Sequence, residues 1–141
     1  APGVILHELA HKFTAMAFGL EATFHAFYAS QTTMVLGILA IIAKITGFGF
    51  VFMVPGYVSI AAGGTAWQHV FIAFAGPAIH GLFWLASLII LRVKKGLSER
   101  QLQLLAITKY INGFLFVLNM LPIPGIDGFH VYSALAKAIG F

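Results

Sequence analysis

His7-Glu8-Leu9-Ala10-His11 is the stretch around which the rest of the chain can be read. Two histidines four positions apart lie one turn apart on the same face of an α-helix. Both imidazoles can then reach one metal ion, and zinc is the expected occupant. Glu8 stands beside the first histidine, where it can take a proton from a water bound to that ion. Bound zinc lowers the pKa of such a water to roughly 7, so a nucleophile is available at neutral pH. A five-residue pattern with two free positions also recurs in unrelated proteins, so the rest of the chain has to support the reading.

Of 141 residues, 60% are hydrophobic and only 9% are charged, with a mean hydropathy of +0.97. Soluble domains carry about 25% charged residues. A chain this small leaves much of its surface outside any core, and here there is too little polar surface to cover it. Composition therefore points to an integral, multi-pass membrane protein in contact with the lipid bilayer. The formal charge of +4 is spread too thinly for a nucleic-acid site, with no basic stripe interleaved with aromatics. Cysteine is absent, which excludes disulfides and thiolate zinc sites. A metal would have to be held by histidine and carboxylate. There are four acids to choose from, Glu8, Glu21, Glu99 and Asp127, and acids are expensive in lipid unless they serve a function.

Outward from the motif, the pattern predicts a first helix over 3–18. At 1.5 Å per residue it covers ~24 Å, short of a ~30 Å hydrocarbon layer, and the chain reads as shortened at its N-terminus. Residues 20–28, rich in β-branched and aromatic side chains, predict a short strand. His25 within it reads as an interfacial side chain. Residues 31–46 are apolar but short for a crossing. Residues 50–62, with Pro55-Gly56 in the middle, read as two extended pieces around a turn. Residues 67–93 make the best full crossing, with Gly76-Pro77 as a bend or close-packing point. A cationic loop follows, and Ser98-Glu99 suits the start of a helix over 99–120. Pro122 and Pro124 forbid its continuation. A last short, peripheral helix is expected over 129–140.

Asp127 lies just past the end of the 99–120 helix. For it to meet His7 and His11, the intervening chain must cross the membrane an even number of times. The two crossings 67–93 and 99–120 satisfy this, so 31–46 is expected to be a re-entrant or interfacial segment. The alternative role for Asp127 is a helix cap before Gly128-Phe129.

With HELAH and Asn119-Met-Leu-Pro122-Ile-Pro124-Gly-Ile-Asp127-Gly128 both in view, the chain resembles the site-2 protease family of intramembrane zinc metalloproteases. That family pairs a membrane-embedded HExxH with a distant N-x-x-P-x-P-x-x-D-G type motif. Phe74-Ala-Gly76-Pro77-Ala-Ile-His80 is similar to the family's glycine-proline element, which commonly ends in Asn; here it ends in His80. The resemblance implies an all-α membrane protein, a single metalloprotease core domain over 1–141. Its three transmembrane helices would be 3–18, 67–93 and 99–120, with a small β element from 20–28 and 50–62. It implies one Zn2+ per chain on His7, His11 and Asp127, with Glu8 as general base and then acid. Asn119 would support the oxyanion or hold the substrate backbone; otherwise it bonds backbone freed by the prolines. The substrate would be a membrane-spanning segment of another protein, unwound against the 50–62 edge. Two competing functions are a non-catalytic binding protein on the same scaffold and a metal transporter. His130 could support Asp127 or stand as an interfacial side chain.

Overall fold

The computed structural model describes residues 2–26, 34, 35, 38, 56–60 and 62–141. Helix α1 (Pro2–Ala17) is followed by strands β1 (Ala22–Ala26) and β2 (Gly56–Ile60). Helices α2 (Ala66–Val93), α3 (Glu99–Asn119) and α4 (Asp127–Ala138) complete the order. The expected segment over 31–46 lies outside the described residues except for Met34, Val35 and Ile38, which are helical.

The helix ends follow from local chemistry. Pro2 opens α1, where its missing N–H and fixed φ do no harm. Gly19, at φ 76°, closes it in a Schellman arrangement: the Gly19 N–H donates to Met16 and the Leu20 N–H to Ala15. Thr65 opens α2 with a capping box closed by Gln68, and Ser98 opens α3 with one closed by Gln101. The strands pair antiparallel, Ala22 opposite Ile60 through Ala26 opposite Gly56, and pack against α1. They lie inside the extended stretches 20–28 and 50–62.

Helix α2 is the hub, packed against by α1, α3 and α4. The last helix is thus not peripheral as expected. It begins at Asp127 rather than 129, and Gly128 and Val131 are buried in it. The physical reason is that Gly128 and Val131, three positions apart, share one side of the helix and turn it into the fold. Among the described residues, the buried apolar side chains include Ala15, Ile72, Pro77 and Val131, while large ones such as Phe13, Leu82, Leu104 and Val117 are exposed. Helices α2 and α3 are long and apolar enough to cross a membrane. At 16 residues, α1 is shorter.

Candidate metal centre

Helix α1 supplies two of the donors. His7 and His11 are 6% and 8% exposed, with their Nε2 atoms 3.1 Å apart. The His11 Nδ1–H donates to the Ile72 carbonyl of α2 at 2.7 Å. That hydrogen bond settles the tautomer: the Nε2 of a neutral His11 carries the lone pair and faces His7.

Asp127 comes from the far end of the chain. A turn built from Ile123-Pro124-Gly125-Ile126 brings it round. The Ile126 N–H donates to the Ile123 carbonyl at 3.1 Å, and Gly125 takes φ 89°. Proline second and positive-φ glycine third is the signature of a type II turn. Gly128 then seats the start of α4 against the end of α3; a Cβ there would lie 2.6 Å from the Met120 carbonyl oxygen. Ile126, not Asp127, is the N-cap of α4. The Asp127 carboxylate is therefore free of capping and points at the histidines. Its oxygens stand 2.9 Å from His7 Nε2 and 3.4 Å from His11 Nε2. Burial by itself would raise this carboxyl, but the adjoining His11 and His7, in their protonated forms, outweigh it and hold Asp127 well below the usual carboxylate range.

The ligand atoms of His7, His11 and Asp127 lie within 4.8 Å of one another. Two imidazoles and one carboxylate are the donor set of an open catalytic zinc site rather than a closed structural one. Gly76 supplies the space. A Cβ at that position would come within 2.6 Å of His7 Nε2 and closer still to His11 Nε2. Helix α2 thus passes the donors with bare backbone, leaving a cradle that a side chain would fill. Glu8 is half-buried and follows His7 directly on α1.

The remaining candidates are placed as follows. Asn119 ends α3, half-buried, and among the described residues its amide makes no hydrogen bond. His130 is exposed, its ring edge-on to Phe129. The backbone of His25 lies in β1 opposite Tyr57. The His69 Nε2–H donates to the Gly63 carbonyl at 2.6 Å, securing the entry to α2. Sequence reasoning missed two partners of the site. The Ile72 carbonyl is a backbone group with no mark in the sequence. Asn112 had a signal, an amide inside an apolar helix, and it holds His80.

The chain is similar to Putative zinc metalloprotease MJ0611 of Methanocaldococcus jannaschii. The two are 34% identical over 128 residues, which is 89% of this chain and 62% of that protein. The chain therefore spans less than two thirds of its relative's length. No family model and no solved structure matches the chain.

Proposed function

We propose that the chain is the catalytic core of a multi-pass intramembrane zinc endopeptidase of the site-2 protease type. Its substrates would be membrane-spanning segments of other proteins. One observation carries the reading: a carboxylate from the start of α4 meets two histidines from α1, with Glu8 beside them. The relative's name supports the metalloprotease part. Two membrane-length helices and an apolar exterior support the membrane part.

His7, His11 and Asp127 would hold the zinc, which when bound polarises a carbonyl and acidifies water. Glu8 takes the proton of the attacking water and delivers it to the leaving amine. Asn119, at the end of α3 with its amide uncommitted among the described residues, would donate to a substrate carbonyl. The paired strands, packed on α1, offer an edge on which an unwound substrate can lie extended, because a helical peptide bond is shielded by its own hydrogen bonds.

The test uses purified chain in detergent with a model membrane-spanning substrate, with and without chelator. Glu8→Gln should keep its zinc and lose cleavage by ~10²–10⁴-fold. Unchanged cleavage in Glu8→Gln removes this mechanism. Zinc bound without any cleavage would favour a binding protein, and zinc flux across sealed vesicles without cleavage a transporter.

A further inference from the structure

The two histidines of α1 are not equally provided for. His11 has its rear nitrogen on the Ile72 carbonyl. His7 has its rear nitrogen, Nδ1, buried and without a hydrogen-bond partner among the described residues. A histidine that binds metal through one nitrogen is ordinarily oriented by a hydrogen bond at the other.

The group next to His7 is His80, 2% exposed, its ring centroid 5.1 Å from that of His7 with the planes tilted by 38°. His80 is itself fixed. The Asn112 Nδ2–H donates to the Thr108 carbonyl at 2.8 Å, which orients the amide. The Asn112 Oδ1 is then turned to His80 and accepts from its Nδ1–H at 2.8 Å. A neutral His80 must therefore carry its lone pair on Nε2. The start of α1 lies over this pair, a Cβ at Gly3 making ordinary van der Waals contact with Asn112 Oδ1 at 3.4 Å. The result is an acceptor on a buried residue beside a buried donor that lacks one.

We propose that Thr108, Asn112 and His80 form a chain that continues to His7, with His80 Nε2 accepting the His7 Nδ1–H through one bridging water. The two rings are neighbours, and a water that bridges two polar groups serves nearly as well as a direct hydrogen bond. His80 is then a positioning residue: it selects which His7 nitrogen faces Asp127 and His11, and holds that ring in place. Its burial removes it from direct contact with substrate. The inference rests on the metal reading above, and it adds that residues of α2 and α3 support a donor on α1.

The measurement is zinc affinity, by chelator competition on the purified chain in detergent. His80→Ala should weaken zinc binding by ~10–100-fold. His80→Gln should recover most of that loss, because its amide oxygen restores an acceptor. Asn112→Leu should weaken binding in the same direction by freeing the His80 ring. The double variant should be no weaker than the worse single one, as expected of groups acting in one chain. Should His80→Ala fail to fold, the half-buried Asn112→Leu carries the same expectation. Wild-type zinc binding with unchanged affinity in these variants overturns the inference and leaves the metal reading standing. A loss that His80→Gln does not recover assigns the effect to packing and also overturns it. A wild-type chain that binds no zinc overturns both.

Discussion

Helices α2 and α3 are both long and apolar enough to cross a membrane, yet they are built on opposite plans. Helix α2 buries Ile72, Gly76, Pro77, His80 and Ser87. The first, second and fourth of these recur every four positions, so they form one stripe on one face. That stripe supplies the carbonyl behind His11, the space beside the donors and the imidazole beside His7. Helix α3 buries none of its residues and turns Leu104, Ile107, Ile111 and Val117 outward. The comparison teaches that greasiness does not mark the interior of this protein. Small and polar residues do, which agrees with the proposed membrane setting: in lipid, apolar side chains would gain nothing by turning inward, whereas close backbone approach and hydrogen bonding would hold helices together.

The sharpest way to break this contrast is Gly76→Ala. Helix propensity favours alanine by ~1 kcal/mol, so the helix should form as before. The new Cβ would nonetheless occupy the cradle. Zinc affinity should fall by more than the ~10–100-fold that follows loss of a supporting hydrogen bond, with the circular dichroism spectrum unchanged. Retained zinc binding would show that the donors can reach one another without that space.

The second prediction makes the same substitution on both helices. Ile72 is 2% and Ile107 54% exposed. Ile72→Ala should destabilise the protein by ~2–5 kcal/mol, as removal of a packed side chain does. Ile107→Ala should stay within ~0.5 kcal/mol. Denaturant titration in detergent would read the difference, and equal losses would mean that α3 is covered by something on its outer side. Zinc binding in Ile72→Ala should persist, because His11 is held by the backbone of residue 72 and not its side chain.

A smaller effect tests where α3 does make a close contact. A Cβ on Gly113 would lie 2.8 Å from Trp84 Cδ1, so the indole must move. Overpacking of this kind costs ~1–3 kcal/mol, and the propensity gain offsets ~1 kcal/mol of it. Gly113→Ala should therefore melt slightly below the wild type; an unchanged or higher melting temperature would show that Trp84 swings aside freely.

The same division explains what could be read from the sequence. The His7–His11 pair was legible because helix periodicity alone places the two rings together. The long apolar helices over 67–93 and 99–120 were legible from length and apolarity, and the two extended stretches from β-branched and aromatic content. Asp127 could be connected to the histidines only through its proline-bearing motif and a topological argument, since nothing local in Ile126-Asp127-Gly128 points across the molecule. The capping boxes at Thr65-Gln68 and Ser98-Gln101 were visible in the spacing, but only Ser98 was read as a start. The inner stripe of α2 was not legible. A carbonyl has no letter, and Gly76 reads as packing until its neighbours are known. Helix α4 begins two residues earlier than expected because the Ile123–Ile126 turn closes tightly enough for the helix to start at Asp127.

Gly128 gives the last consequence. Its missing side chain lets the start of α4 rest on the Met120 carbonyl, and this seat sets the aim of the neighbouring carboxylate. A methyl group added there would act as a wedge under a lever, tilting residue 127 away while leaving its chemistry untouched. Such a variant would keep every ligand letter intact and still be blind to metal, so checking the donors alone would pass a disabled protein as sound.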